Sequence, residues 1–303
     1  MNRKAGVPRL DPGSAVALVA PAGPFEQERY ERGAFLLRSA GYAVVAGRNA
    51  FKHHGYLAGT DQDRLYDLSQ ALLDPAIEAV ICIRGGYGSG RLLAGLPFQR
   101  LTGAPKIFLG HSDITFLHLG LASLAGWTTF HGPNLVGMSS FAHRAQSVLD
   151  CLSGRACFHW TLEPQQILRP GRVQGPVFGG NLSCLTRLLG TPYMPDPAGA
   201  LLLIEDCSEA LYRLDRMMNH LKLASVLPSL GAILLGNFDR CAREDEICQM
   251  IMEHVSDYDF PVVCGLPFGH GERNDVIPLG APFLLDTNER VLAILETPFA
   301  REL

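Results

Sequence analysis

The sequence predicts an α/β protein in two parts. The first is a doubly wound parallel sheet of the Rossmann-like or flavodoxin-like kind, and the second is a mixed, strand-rich α/β domain. Strands and helices alternate through the first half, whereas short strands between Gly, Pro and Asn turns dominate the second. The 303 residues also exceed what one hydrophobic core usually organises. We expect domains at 1–138 and 172–303, joined by a connection at 139–171.

The composition excludes several classes of protein. The chain is 47% hydrophobic and 18% charged, which is typical of a globular protein and not of a disordered one. A net charge of −4 leaves no basic footprint for nucleic acid. No run of about 18 apolar residues is present, so we expect no membrane partner. No apolar signal region follows the first basic residues, which favours the cytoplasm. The oligomeric state stays open, with a homodimer as one candidate.

The elements of the first half follow one another as strand, helix, strand, helix and strand. The strands are apolar runs, and the helices have apolar residues at three- and four-residue spacing. In chain order they are a strand at Val16–Val19, a helix at Tyr30–Ala40 closed by Gly41, a strand at Tyr42–Ala46, a helix after the N-cap Thr60 closed by Pro75, and strands at Ala79–Ile83, Ile107–Leu109 and Trp127–His131. Functional groups of such sheets lie beyond the carboxyl ends of the strands, where Arg84–Gly90 and Gly110–Thr115 stand.

The helix–strand pattern weakens between Ser139 and Gly171, where only a short helix around Ala145–Leu152 is indicated. The later elements are again short. They are a helix capped by Asn181 and closed by Gly190, a strand at Leu201–Ile204, an amphipathic helix at Leu211–Leu221, and strands at Ala232–Leu235, Val262–Leu266, Phe283–Leu285 and Val291–Leu295. This half is therefore richer in strand than the first.

Ser112 is a candidate nucleophile because it stands on the turn between a buried strand and a helix. Its hydroxyl could stand clear of the backbone near the positive end of the helix, as in a nucleophile elbow. The usual G-x-S-x-G pattern would need glycine where Ile114 stands. The other interpretation is a plain helix start with Ser112 or Asp113 as N-cap, and this hexamer taken alone favours that interpretation.

The glycine-rich segment Arg84–Gly90 lacks the Lys and Ser/Thr of a phosphate-binding P-loop. Its backbone N–H groups could instead form an oxyanion hole with the amide that follows Ser112. A structural turn is an equally good interpretation of this segment alone.

A serine nucleophile needs an imidazole base and a group that orients the base. Among the ten histidines, His270 ranks first because glycines flank it at a strand end, and His131 ranks second. Glu205 and Asp206 both end a buried strand, and periodicity does not choose between them. An ion pair with Arg213 or Arg216 is their alternative role.

The cysteine and histidine spacings match no metal-binding motif. The eight cysteines form no C-x-x-C, and H-E-x-x-H is absent. We therefore expect buried free thiols, no metal site and no cofactor.

Eight segments together resemble the LD-carboxypeptidases, in order and over nearly the whole chain. They are Ala20–Gly23, Arg84–Gly88, Gly110–Thr115, His131–Pro133, Gly179–Leu182, Leu203–Asp206, Tyr212–Arg216 and Phe268–Gly271. The resemblance implies a serine peptidase with Ser112 as nucleophile, Glu205 as orienting group and His270 as base. It also implies that the backbone amides of Gly86 and Asp113 form the oxyanion hole.

The resemblance further implies hydrolysis of the L,D-peptide bond to the terminal D-alanine of murein tetrapeptides, for cell-wall recycling. Arg84 is a candidate for binding the free carboxylate, with a surface ion pair as its alternative role. His111 stands where many relatives have tyrosine, which puts the local pocket contacts in question. Two other functions stay open: a self-immunity peptidase of the same family that cleaves peptidyl-nucleotide antibiotics, and a non-catalytic small-ligand binder.

Overall fold

The chain forms the two sheets that the sequence predicts. The computed structural model describes residues 6–300. Helices and strands of the first half are β1 (Ala15–Val19), α1 (Gln27–Ser39), β2 (Ala43–Ala46), α2 (Asp61–Leu73), β3 (Ile77–Cys82), α3 (Phe98–Leu101), β4 (Ile107–Gly110), α4 (Thr115–Gly120), β5 (Thr129–His131) and α5 (Leu135–Met138).

The second half contains more strands than helices. Its elements are α6 (Ala142–Leu152), β6 (His159–Thr161), β7 (Ile167–Arg169), β8 (Arg172–Asn181), α7 (Leu182–Thr186), β9 (Leu201–Cys207), α8 (Leu211–Leu223), β10 (Ala232–Asp239), α9 (Glu244–His254), β11 (Val262–Val263), β12 (Ile277–Leu279), β13 (Pro282–Asp286) and β14 (Val291–Ile294).

The first sheet has the strand order β12–β5–β4–β3–β1–β2 within residues 6–300. Strands β1 to β5 pair in parallel, which confirms the predicted doubly wound arrangement. The sixth strand, β12, comes from the second half of the chain and pairs antiparallel with β5. The sequence did not predict this strand, because it is three residues long and contains Pro278. Its place at the edge of the sheet agrees with the position that proline tolerates.

The second sheet has the order β6–β14–β13–β8–β9–β10–β11–β7 among the described residues. Strands β8 to β11 pair in parallel and the outer strands antiparallel, which confirms a mixed sheet. Strands β6 and β7 lie within 139–171, where the sequence indicated irregular structure. Strand β8 was also missed, because Pro176 and three glycines interrupt its apolar pattern.

The central strands of both sheets are buried on both faces. In β3, alternate residues enter two different apolar clusters, Val80 and Cys82 on one side and Ala79 and Ile81 on the other. Strand β9 divides its side chains between the same two clusters. Each cluster therefore runs from one sheet to the other, and the two halves share their hydrophobic core.

Two predicted helix caps are confirmed. Thr60 accepts a hydrogen bond from the Asp63 N–H, and the Asp63 carboxylate accepts one from the Thr60 N–H, each at 3.2 Å. Asn181 Oδ1 accepts the Cys184 N–H at 3.1 Å. The eight cysteines are free as expected, but only Cys82, Cys151 and Cys264 are buried. Across residues 6–300, every helix is too short or too polar to cross a bilayer.

One buried hydrogen bond joins the helix after Ser112 to the second sheet. The Asn181 N–H, at the end of β8, donates to the Thr115 hydroxyl at 2.9 Å. Thr115 is 0% exposed and Asn181 5%. The start of α4 is thereby held against the strand that neighbours β9.

We predict that Thr115→Val lowers the free energy of unfolding by about 1–3 kcal/mol, because the isosteric side chain leaves the buried Asn181 N–H without an acceptor. Urea denaturation measures this change. Thr129→Val is the matched control: Thr129 is also buried, and its hydroxyl has no hydrogen-bond partner among the described residues. Equal losses in the two variants would contradict the prediction.

Candidate active site

Ser112 lies on a sharp turn directly after β4, and its backbone is in the left-handed region with φ = 67°. A non-glycine residue in this region is strained and persists only where its surroundings hold it. His111 takes the capping position of the following turn, but no side chain caps that turn. The backbone thus resembles a nucleophile elbow more than a helix start capped by serine.

Ile114, which stands where a G-x-S-x-G pattern would have its second glycine, packs against Gly110. A Cβ atom at Gly110 would lie 2.9 Å from Ile114 Cγ2. The close approach therefore requires glycine before the turn, and Ile114 occupies the space beside it.

The glycine-rich loop packs directly on Ser112. A Cβ atom at Gly85 would lie 2.8 Å from Ser112 Cβ, so the loop can approach only with glycine there. Two hydrogen bonds lock the loop to the turn: the Ser89 N–H donates to Asp113 Oδ2 at 2.7 Å, and the Ser89 hydroxyl to the Asp113 carbonyl at 2.6 Å. The loop that contains Gly86, whose φ is 106°, is thereby held against the turn that contains Asp113.

His270 and Glu205 complete a hydrogen-bonded chain that starts at Ser112. His270 Nε2 lies 3.0 Å from Ser112 Oγ, and His270 Nδ1 lies 2.5 Å from Glu205 Oε2. Glu205 comes from β9 and is 0% exposed. In this order the imidazole can exchange a proton with the hydroxyl, while the carboxylate holds the ring and its tautomer. The structure therefore brings together three residues that are distant in the sequence.

Glycine beside His270 makes this contact possible. Gly269 has φ = 93°, and a Cβ atom there would lie 2.5 Å from Glu205 Oε2. The Gly269 N–H donates to Asn274 Oδ1 at 3.0 Å, which fixes the loop from its far side. Asn274 and Ser89 were not singled out from the sequence, because no local pattern marks a side chain that supports a distant loop.

The charges of the buried pair stabilise each other. Burial by itself lowers the pKa of His270, but the Glu205 carboxylate raises that pKa above the usual value of 6.5. Burial likewise raises the pKa of Glu205, yet the neighbouring His270 outweighs burial and holds it below its usual value. The site therefore favours an ionised carboxylate beside the imidazole.

The structure distinguishes between the two adjacent carboxylates at the end of β9. Asp206 accepts hydrogen bonds from Asn181 Nδ2 at 3.0 Å and from the Ser183 N–H and hydroxyl at 2.9 and 2.8 Å. Asp206 therefore stabilises the start of α7, and the carboxylate that binds His270 is Glu205. Arg213 pairs with Glu209 at 3.4 Å and not with either of these residues.

The other candidate residues lie around the chain of three. The His111 ring is 5.0 Å from that of His270 between centroids. His131, the second-ranked base, is fully buried and is not the imidazole that reaches Ser112. Arg84 is exposed at the start of the glycine-rich loop, and its guanidinium donates to the Pro24 carbonyl. Within residues 6–300, no group of three or more His, Cys, Asp or Glu residues is arranged to hold a metal ion.

The chain is similar to known proteins in sequence and in structure. Residues 16–132 match the LD-carboxypeptidase N-terminal domain, and residues 174–285 match the LD-carboxypeptidase C-terminal domain. A probable murein peptide carboxypeptidase of Bacillus subtilis is 36% identical over 94% of this chain and 92% of its own length. The murein tetrapeptide carboxypeptidase of Pseudomonas aeruginosa is 35% identical over 90% of this chain and 93% of its own.

Two further matches bear on the choice of substrate. The crystal structure of muramoyltetrapeptide carboxypeptidase from Oxalobacter formigenes has a TM-score of 0.83 and 30% identity, covering 94% of this chain and 99% of that one. The microcin C7 self-immunity protein MccF of Escherichia coli is 28% identical over 93% of this chain and 92% of its own length.

We predict that Gly269→Ala lowers the rate at which a fluorophosphonate labels Ser112 by about 100-fold, because the new methyl group displaces the Glu205 carboxylate. The rate is measured by mass spectrometry of the labelled protein. Gly13→Ala is the matched control, since Gly13 has φ = 96° and open space around it. A similar loss in both variants would mean that backbone strain, and not contact with Glu205, is responsible.

Proposed function

This chain belongs to the LD-carboxypeptidase family, and from that premise we propose that it removes the terminal D-alanine from murein tetrapeptides with Ser112, His270 and Glu205 as catalytic residues. The observation that carries the proposal is the unbroken chain from Ser112 Oγ through His270 to Glu205, with contacts of 3.0 and 2.5 Å. A binder would have no need to place a strained serine against a paired imidazole.

The reaction proceeds in two steps. Ser112 Oγ attacks the carbonyl carbon of the L,D-peptide bond while His270 Nε2 takes the serine proton, and Glu205 stabilises the imidazolium that forms. His270 then gives this proton to the leaving nitrogen, so the C–N bond breaks and D-alanine departs from the acyl-enzyme. A water molecule, deprotonated by His270, attacks the ester and releases the tripeptide and free Ser112.

Backbone amides stabilise the negative charge that develops on the carbonyl oxygen in both steps. We assign this role to the N–H groups of Gly86 and Asp113, which belong to the loop and turn that Ser89 locks together. The contact between Gly85 and Ser112 supports this assignment, because it brings the backbone of the loop against the nucleophilic residue.

Recognition of the substrate's free carboxylate needs a cation near the oxyanion loop. Arg84 is the candidate, because it opens that loop and is exposed. The Pro24 carbonyl holds one arm of its guanidinium, which leaves further N–H donors for a carboxylate. We also place His111 in the substrate pocket, since its ring lies beside that of His270.

The cellular setting and assembly complete the proposal. We place the enzyme in the cytoplasm, where it would trim cell-wall fragments for recycling, and retain the homodimer as the assembly to test. We propose the division into 1–138, 139–171 and 172–303 as well. Ser112 follows a strand of the first sheet and Glu205 lies on a strand of the second, which supports a division between the halves.

We predict that the purified protein converts murein tetrapeptide to tripeptide and free D-alanine, and that Ser112→Ala reduces this rate by at least about 10³-fold, because the variant lacks the nucleophile. Product analysis by liquid chromatography and mass spectrometry measures both. Circular dichroism confirms that the variant is folded.

The same assay with a peptidyl-nucleotide of the microcin type tests the alternative substrate. Preference for that compound, with no D-alanine released from tetrapeptide, would contradict the proposed substrate and leave the triad in place. Full activity of Ser112→Ala on tetrapeptide would instead contradict the catalytic assignment.

We predict that kcat/KM rises with pH through a limb that lies above the usual histidine value of 6.5. The raised pKa keeps His270 protonated at low pH, and only the neutral ring can accept the serine proton. Glu205→Gln removes the charge that raises this pKa, so the limb should move to lower pH while the maximal rate falls by up to about 10⁴-fold.

Values of kcat/KM from pH 5 to 11 measure this limb in both proteins. Glu209→Gln serves as the control, since Glu209 is a nearby carboxylate paired with Arg213 and should leave the limb unchanged. A limb at the same pH in wild type and Glu205→Gln would contradict the assigned coupling.

A further inference from the structure

Behind the triad lies a cluster of three histidine rings, of which His118 and His131 are fully buried and have no part in the proposed reaction. The ring centroids of His111 and His131 are 6.1 Å apart, and those of His118 and His131 are 6.3 Å apart. His118 is accounted for structurally, because its Nε2 is 2.8 Å from the Gly110 carbonyl. His131 has no such partner and therefore needs another explanation.

His131 reaches the second sheet across a glycine. It ends β5 and is 0% exposed. Its Cδ2 would lie 3.4 Å from a Cβ atom at Gly180, on β8. The residue after Gly180, Asn181, pairs in register with Glu205 on β9. The absence of a side chain at Gly180 thus lets the imidazole approach the strand pair that holds Glu205.

Unmade hydrogen bonds concentrate in this cluster. Seven buried side-chain N or O atoms of the described residues have no partner, and five of them belong to His111, His118, His131 and Glu205. Both ring nitrogens of His131 are among them, and so is Glu205 Oε1, the carboxylate oxygen that His270 does not bind. A buried donor and a buried acceptor, each without a partner, are costly apart and complementary together.

We propose that His131 is a positioning residue of the catalytic machinery, which donates its ring N–H to Glu205 Oε1 through one bridging water. The proposal rests on the function proposed above, since it acts on the same triad. His131 would hold the carboxylate from the side opposite His270, so that Oε2 stays aligned with Nδ1. The result is a chain of four residues, Ser112–His270–Glu205–His131.

The charge state of His131 suits this role. Burial lowers the pKa of His131 to about 4, so the ring is neutral near pH 7 and carries a single N–H. A neutral donor can fix the orientation of the Glu205 carboxylate, and the negative charge of that carboxylate stays available to stabilise the imidazolium of His270. The Asn181 amide donates to Asp206 Oδ1 at 3.0 Å, and the same side chain also helps to hold the pKa of Glu205 below its usual value.

A double-mutant cycle tests the proposal. His131→Phe should slow fluorophosphonate labelling of Ser112 by about 10- to 100-fold in the wild-type background, because Glu205 loses its alignment. In the Glu205→Gln background the same substitution should cost less than about twofold, since the group through which it acts has already been changed. On tetrapeptide, kcat should fall while KM stays within about twofold.

Controls separate positioning from folding. His131→Gln, which keeps an N–H donor, should recover part of the labelling rate. Thr129→Val, on the same face of β5 and also buried without a partner, should label at the wild-type rate. Equal losses from His131→Phe in both backgrounds, or no loss in either, would overturn the proposal.

A measurement on the unaltered residue remains decisive if His131→Phe does not fold. In protein with ¹⁵N-labelled histidine, the His131 ring N–H proton should exchange slowly enough with solvent to be observed by NMR, and Glu205→Gln should shift its signal, because the bridging water then binds an amide in place of a carboxylate. An unchanged signal would overturn the proposal. Labelling and NMR need no murein substrate, so a wrong substrate assignment would leave both results interpretable.

Discussion

The arrangement of the active site depends on one buried carboxylate, that of Glu205. Glu205 is fully enclosed at the junction of the two sheets, and an unpaired charge there would cost several kcal/mol, on the order of the whole stability of a domain. Its contact with His270, at 2.5 Å, offsets that cost and holds the imidazole in place. The same contact sets the direction of the pKa changes of both groups.

Backbone segments around this pair must pass very close to the side chains of the site, and this requires glycine at several positions. Glycine stands at each place where backbone must pass within a methyl group's reach of a site residue: Gly85 against Ser112, Gly269 against Glu205, and Gly180 against the Thr115 and His131 side chains. These glycines lie in three segments that the family resemblance also picked out. Their role is physical: a side chain at Gly85 or Gly269 would displace a residue of the triad, and one at Gly180 would push apart the two sheets.

The two sheets are joined by a shared core and by polar contacts near the site. Thr115, three residues after Ser112, accepts a hydrogen bond from Asn181, and Asn181 in turn supports Asp206 beside Glu205. The strain at Ser112 is thus held by contacts from both halves of the chain. Strand β12 adds a second connection, because a segment near His270 pairs with the strand that carries His131.

The sequence by itself determined the fold class, most elements and the candidate residues, because periodicity, caps and breakers are local properties. It missed β6, β7 and helix α9, and it also missed β8 and β12, whose glycine and proline content hides them. The strand character of β8 and β12 comes from pairing with partners distant in the chain. The local pattern did not choose between Glu205 and Asp206 as the orienting carboxylate. It favoured a helix N-cap over a nucleophile as the role of the segment around Ser112. Family resemblance selected among them, but only the tertiary structure decided which groups touch. A 2.5 Å contact between residues 205 and 270 depends on how two sheets pack, and no spacing along one chain encodes that distance.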